Sequence, residues 1–147
     1  MARSLIIEAD GGSRGNPGRA GSGTLVIDEQ TGEILAEIGV YLGIATNNVA
    51  EYRGMIEGIR RALEIEPTAA LHVRMDSQLV VEQMSGRWKI KHPDMRELAT
   101  EARDLIGHRS VTFEWIPRSK VQQPPLATLA SCRSASLARF GPHPSNA

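Results

Sequence analysis

The stretch SLIIEADGGSRGNPGRAGSGTLVI, residues 4–27, contains the first two predicted strands of the fold. It begins as an apolar strand over residues 5–9, places Asp10 against a glycine-rich turn, and resumes as a second strand over residues 23–28. Apolar runs separated by Gly, Asn and Pro predict antiparallel strands joined by a turn. The sequence thus puts the Asp10 carboxylate at the end of a strand, next to two glycines that have no side chains, Gly11 and Gly12.

Composition limits the possible classes of protein. A chain of 147 residues, 41% of them hydrophobic, suits one globular domain with its own core. The net charge of zero means that any nucleic-acid contact must come from local patches and polar hydrogen bonds. Cys132 is the single cysteine, which excludes an internal disulfide framework and favours the cytoplasm. We expect no membrane association, since no apolar run approaches the ~20 residues of a membrane span.

The remaining elements follow from apolar periodicity. Further strands are predicted over residues 34–42, 71–75 and 111–116, and helices over residues 46–66, 77–86 and 92–108. The predicted fold class is therefore α/β, with element order βββαβααβ. The first three strands form an antiparallel meander, and a helix before the fourth strand favours a parallel crossover. The sheet is expected to be mixed, with five strands flanked by helices.

Three carboxylates stand out by position: Asp10 ends the first strand, Asp76 ends the fourth, and Glu51 lies near the start of the long helix. Each also has a structural interpretation. Asp10 could start a turn, and Asp76 could be the N-cap of the next helix. Glu51 could complete a capping box with Asn48 as the N-cap.

Metal ligation explains all three carboxylates together, whereas capping explains them one at a time. Glu51 shares a helical face with Met55 and Ile59, so it lies at the end of the core-facing stripe. Carboxylates brought to one place of low dielectric repel each other unless a cation compensates them. Oxygen ligands of this kind suit Mg²⁺ or Mn²⁺.

Uncharged polar residues flank these carboxylates. Hydroxyl and amide groups suit sugar hydroxyls and base edges of a minor groove, where RNA displays its 2′-OH. A helix N-terminus is a natural place for a phosphate. The candidate substrate-binding residues are Ser13, Asn16, Thr46, Asn47, Asn48 and Gln78.

Four segments together resemble type 1 ribonuclease H: EADGGSRGNPGRAGSG (8–23), ATNNVAEYRGMIEGI (45–59), MDSQLVVEQMSGRWKIKHPDM (75–95) and FEWIPRSK (113–120). The match is to the compact form without a basic helical protrusion, found at the N-terminus of actinobacterial proteins fused to a phosphatase domain. The resemblance implies a ribonuclease H-like fold and Mg²⁺-dependent endonucleolytic hydrolysis of the RNA strand of RNA–DNA hybrids. In the mechanism it implies, two cations ~3.5–4 Å apart support an in-line displacement.

The resemblance also implies roles for individual residues. Asp10, Glu51 and Asp76 would be the catalytic metal ligands, and Thr46 would contact a DNA phosphate. Trp88 would stack on a DNA sugar, although a core position is an open alternative. The side-chain amides of four residues would contact the hybrid's minor groove: Asn16, Asn47, Asn48 and Gln78. We expect a monomer that binds an RNA–DNA hybrid.

The C-terminus departs from the family's pattern. The family has a fourth carboxylate after the fifth strand, and a gap-free alignment from Trp115 places it at Pro125; no acid follows Glu114. The sequence therefore predicts a ribonuclease H-like domain over residues 1–120 and a poorly packed or disordered tail over residues 121–147, with at most one short helix over residues 126–137. Two functions stay open: a hybrid-specific ribonuclease, weakened by the missing carboxylate, or a catalytically inactive hybrid-binding domain.

Overall fold

A computed structural model describes residues 3–117 of the chain, which form a mixed sheet of five strands with three helices. The elements are β1 (Ser4–Gly15), β2 (Gly18–Asp28), β3 (Ile34–Ala45), α1 (Asn47–Ile65), β4 (Ala70–Met75), α2 (Gln78–Met84), α3 (Pro93–Ile106) and β5 (Val111–Trp115). The strand order is β3-β2-β1-β4-β5. β1, β2 and β3 pair antiparallel, whereas β4 pairs parallel with β1 and β5. The predicted fold class and element order are confirmed.

The glycine-rich segment after Asp10 forms a strand, and the prediction that it forms a turn is wrong. β1 continues through Gly15, and its pairing with β2 runs without interruption from Asp10 opposite Gly23 to Gly15 opposite Gly18. The turn itself consists of Asn16 and Pro17. Glycines carry no apolar side chains, so the alternating pattern that marks a strand stops at residue 10 although the hydrogen-bonded ladder does not.

The two faces of β1 have different surroundings. A Cβ atom on Gly58 of α1 would lie 2.5 Å from Cγ2 of Ile7, so Ile7 faces α1. Because side chains alternate along a strand, Leu5 and Ala9 share this face, while Glu8 and Asp10 lie on the opposite face. This assignment separates the hydrophobic core from the carboxylate of Asp10.

The core lies between α1 and the sheet. The stripe predicted from periodicity is confirmed at Met55, Ile56 and Ile59, each 0% exposed. Burying a side chain of this size contributes roughly 1.5–3 kcal/mol, so this face anchors α1 to β1 and β2. α3 begins with Pro93 at its first turn and packs on α1, where Arg53 of α1 donates to Glu101 of α3 at 3.1 Å.

The predictions for the C-terminal tail lie outside the described residues, and so do the proposed domain boundary at residue 120 and the helix over residues 126–137. Among the helices of residues 3–117, none has the length and apolar character needed to cross a membrane.

Candidate active site

Two of the three predicted carboxylates lie at one end of the parallel ladder between β1 and β4. Ala9 and Met75 are its last paired residues, and Asp10 and Asp76 directly follow them. Adjacent strands are about 4.8 Å apart, so the two backbone positions are neighbours. Beyond this point β4 ends and β1 continues. Asp10 therefore lies at the end of the parallel ladder, although it lies in the middle of β1.

α1 brings Glu51 to the same place through a close contact with β1. A Cβ atom on Gly11 would lie 2.4 Å from the carbonyl carbon of Ala50 and 2.6 Å from the backbone nitrogen of Glu51. Real Cβ atoms essentially never come within 3.0 Å of such atoms. The glycine after Asp10 is therefore what allows the first turn of α1 to approach this part of the strand.

The three side chains differ in burial: Asp10 is 1% exposed, whereas Glu51 and Asp76 are half-buried. As the side chains stand in the part of the chain that the structure describes, no three His, Cys, Asp or Glu side chains are already grouped as a metal site. The backbone brings the three positions together. Convergence of their carboxyl groups at a metal ion stays a prediction.

The capping interpretations of these carboxylates are wrong. The N-cap of α1 is Thr46, whose Oγ1 accepts a hydrogen bond from the backbone N–H of Val49 at 3.2 Å. The N-cap of α2 is Ser77, whose side chain accepts from Val80. Capping therefore explains the position of neither Glu51 nor Asp76. Asp10 does not start a turn either, because it lies within strand β1.

Three of the candidate substrate-binding residues hold the β1–β2 hairpin against the start of α1; we call Ser13, Asn16 and Asn47 the amide clamp. Oδ1 of Asn47 accepts a hydrogen bond from the backbone N–H of Ser13 at 2.7 Å. Oδ1 of Asn16 accepts from the backbone N–H of Asn47 at 3.0 Å, which satisfies one of the N–H groups that a helix start leaves without an intrahelical partner. The clamp orients the hairpin tip relative to Glu51.

A shallow groove of about 160 Å³ lies between the hairpin tip and the starts of α1 and α3. His92 is the N-cap of α3, where its Nδ1 accepts from the backbone N–H of Asp94 at 3.1 Å. Two helix N-termini thus meet at this groove, and each carries a partial positive charge. The groove is lined by Asn16, Thr46, Asn48, Val49, His92, Asp94 and Met95. Sequence reasoning missed His92 and Asp94, because their place depends on how α3 packs.

The remaining predicted site residues lie apart from this groove. Gln78 is exposed and begins α2, two residues after Asp76. Trp88 is 45% exposed, which rules out the core position left open for it. Sequence reasoning also missed Trp115, whose Nε1–H donates to the backbone carbonyl of Asp76 at 3.2 Å. That bond ties the residue after β4 to the end of β5.

A buried tyrosine connects α1 to α2 beneath the site. Tyr52 is 0% exposed, and its hydroxyl donates to Oε1 of Gln83 at 2.7 Å. Burial disfavours the phenolate and raises the pKa of Tyr52 to about 12. This neutral hydrogen bond joins the helix that carries Glu51 to the helix that follows Asp76.

Comparison with known proteins agrees with this arrangement. Residues 8–126 match the family model described as reverse transcriptase-like. The bifunctional protein Rv2228c of Mycobacterium tuberculosis is 53% identical over 117 residues, which are 79% of this chain and 32% of that protein. The solved structure of the N-terminal ribonuclease H domain of Rv2228c, fused to maltose-binding protein, superposes with a TM-score of 0.83 at 44% identity, covering 92% of this chain and 99% of that one. The chain belongs to the ribonuclease H family.

A second ribonuclease H structure extends the match. LC11-RNase H1, solved in complex with an RNA/DNA hybrid, superposes with a TM-score of 0.85 at 34% identity, covering 92% of this chain and all of that one. The chain spans about a third of the length of the bifunctional relative. The resemblance inferred from sequence motifs, including its likeness to the domain fused to a second activity, is confirmed.

Ribonucleases H generally use divalent metal ions, and the donor chemistry of this site fits such an ion. Asp10, Glu51 and Asp76 are all carboxylates, which are the oxygen ligands that hard cations prefer. Their positions adjoin at the end of the β1–β4 ladder and at Gly11. The Asp10 carboxylate is nearly completely buried, which is costly for a charged group; a cation bound here would offset part of that cost.

Proposed function

We propose that this ribonuclease H-like domain hydrolyses the RNA strand of RNA–DNA hybrids with the help of Mg²⁺ or Mn²⁺ held by Asp10, Glu51 and Asp76. The observation that carries the proposal is the meeting of these three positions at one end of the parallel ladder, beside the amide clamp. The bound metal would lower the pKa of water and stabilise charge on the phosphate oxygens. The carboxylates would hold and orient the ion.

Substrate recognition would depend on uncharged groups. The chain has no net charge, so contact with a hybrid would depend on local patches and polar hydrogen bonds and not on bulk charge. Asn16, Asn47 and Asn48 present amides at the hairpin tip and helix start, which suits the sugar hydroxyls and base edges of a minor groove. The related LC11-RNase H1 was solved with an RNA/DNA hybrid, which supports the same class of substrate here.

Thr46 and the exposed aromatic ring of Trp88 would contact the DNA strand. Thr46 lines the groove where two helix N-termini meet, and helix N-termini favour phosphate. Trp88 is 45% exposed just after α2, so its ring is accessible for stacking on a sugar.

A second candidate function is hybrid binding without cleavage. The family's fourth carboxylate aligns with Pro125, and no acid occurs after Glu114. A site with three carboxylates would hold a second cation weakly, so turnover would be slow or absent while the amide contacts stayed intact. We also propose that the protein is a cytoplasmic monomer, which analytical ultracentrifugation and cell fractionation would test.

The deciding experiment measures cleavage and binding of the same hybrid separately. A hybrid labelled on its RNA strand is incubated with the protein and Mg²⁺ or Mn²⁺, and the products are separated on a denaturing gel. Binding is followed by fluorescence anisotropy with the metal ion replaced by Ca²⁺. We expect cleavage of the hybrid and none of double-stranded DNA. Binding of the hybrid without cleavage in either metal would favour the second candidate.

Matched variants connect the result to the site. Glu51→Gln removes one proposed ligand, and Glu64→Gln makes the same change on the exposed end of the same helix, where Glu64 pairs with Arg61. We expect Glu51→Gln to abolish most cleavage and Glu64→Gln to leave it unchanged. Equal cleavage by the two variants would show that Glu51 holds no metal ion.

A further inference from the structure

A second row of charges lies directly beneath the proposed metal ligands. In the sheet register, Arg74 of β4 lies opposite Glu8 of β1 on one side and Glu114 of β5 on the other. Ion pairs join the three: Arg74 Nη1 is 3.3 Å from Glu8 Oε2, and Arg74 Nε is 3.7 Å from Glu114 Oε1. His72 adds a contact from its Nε2 to Glu114 Oε1 at 2.7 Å. We call Glu8, Arg74 and Glu114 the charged row.

Glu8 of the charged row shares its face of β1 with Asp10. Glu8 precedes Asp10 by two residues, and Arg74 precedes Asp76 by two residues. Residues two apart on a strand lie on one face and about 6.6 Å apart. Glu8 is therefore one step along β1 from Asp10, with Arg74 beside it on β4, and both are close enough to act through their charge on an ion held by Asp10.

Glu8 is the member of the charged row with the largest expected effect on a bound metal ion, because it is the most deeply buried. Its side chain is 1% exposed, whereas those of Arg74 and Glu114 are 27% and 49% exposed. A charge shielded from water keeps more of its influence on a neighbouring ion than an exposed one. Arg74 pairs with Glu8 at 3.3 Å and places a positive charge on the same face of the sheet.

We propose that Glu8 and Arg74 set the metal affinity of the site in opposite directions, Glu8 strengthening it and Arg74 weakening it. The inference rests on the proposed metal-binding function. The charged row carries two negative charges and one positive charge, so it adds negative charge beneath a site in which the family's fourth carboxylate aligns with a proline. Glu8 and Arg74 are outer residues that act on the ion through the field they create.

The test uses the sign of the change in metal affinity. Mn²⁺ affinity is measured by isothermal titration calorimetry, without nucleic acid, for the parent, Glu8→Gln, Arg74→Gln and the double variant. A unit charge about 7 Å from a divalent ion changes its affinity on the order of tenfold at the dielectric constant of bulk water, which sets the lower bound expected here. We expect Glu8→Gln to weaken Mn²⁺ binding by at least about that factor, Arg74→Gln to tighten it, and the double variant to lie near the parent.

A purely structural ion pair would behave differently. Both single variants break the same pair, so both would lower thermal stability and shift Mn²⁺ affinity in the same direction or not at all. That outcome would overturn the inference. A separate pair at the start of β1, Arg3 with Asp28 at 2.7 Å, provides the control: Asp28→Asn should change stability and leave Mn²⁺ affinity unchanged.

Two further results separate a failure of this inference from a variant that does not fold and from a failure of the proposed function. Glu114 is half exposed, so Glu114→Gln is expected to fold even if Glu8→Gln does not; it should weaken Mn²⁺ binding by a smaller factor, and a tighter or unchanged affinity would count against the inference. A parent that binds no Mn²⁺ and cleaves no hybrid would overturn the proposed function and this inference together. A parent that binds Mn²⁺, with single variants shifted in one common direction, would overturn only the inference.

Discussion

Replacing Gly11 with alanine should displace the first turn of α1 and, with it, Glu51. The added Cβ would lie 2.4 Å from the carbonyl carbon of Ala50, whereas ordinary contact begins at 3.4 Å, so backbone must move by about 1 Å. Overpacking of this kind costs roughly 1–3 kcal/mol, and the melting temperature should fall roughly 3–12 °C. The first turn of α1, which carries Glu51, is the part that is displaced.

The effect on cleavage should exceed the effect on stability. A catalytic group displaced by about 1 Å loses on the order of 10²-fold in rate, so hybrid cleavage by Gly11→Ala should fall by about that factor at a temperature where the variant is folded. The assay is single-turnover cleavage of a labelled hybrid with Mg²⁺, with circular dichroism to follow folding.

Gly54→Ala is the matched control on the same helix. Its Cβ would lie 3.2 Å from Cβ of Ser22 and 3.4 Å from Cβ of Ala9, so the neighbours need to move by only a few tenths of an ångström. We expect a small loss of stability and nearly full cleavage. If Gly11→Ala cleaved the hybrid as fast as Gly54→Ala and melted at the parent temperature, the close approach of α1 to β1 would not be what positions Glu51.

Three other predictions test separate parts of the account. Asp10→Asn should lower hybrid cleavage far more than hybrid binding, because the amide keeps the shape but loses the charge that holds a cation; equal cleavage by variant and parent would refute a ligand role. Stability should fall between about pH 10, where the unfolded tyrosine ionises, and about pH 12, because folded Tyr52 holds its proton longer. The loss should reach roughly 2–3 kcal/mol by chemical denaturation, and Tyr52→Phe should lack this part of the slope. Pro125→Asp should raise the cleavage rate and the Mn²⁺ affinity, because it restores the family's fourth carboxylate. If the parent protein already cleaves hybrids at ~1–10³ per second, the fourth carboxylate is not needed.

Much of the fold could be read from local patterns. The apolar stripe of α1 at Met55, Ile56 and Ile59 repeats with helical period, and Pro93 marks the start of α3, so both helices were predicted where they occur. The strand and helix order implied the parallel crossover to β4, and the motifs identified the family. These features depend on residues close together in the sequence, whose periodicity and turn chemistry act within a few residues.

Tertiary contacts determined what the local pattern does not contain. The pairing of β1 with β2 extends the strand through glycines that have no apolar signal. The N-cap of α1 is Thr46 and not Asn48: the Thr46 side chain accepts from the backbone N–H of Val49, and Asn48 already lies inside the helix. The burial of Glu8 beside Arg74 depends on register between strands more than sixty residues apart in the chain. Local motifs were enough to identify the family and to predict the candidate site residues. Which of these positions are neighbours depends on strand register and helix packing, because both are set by contacts between distant segments.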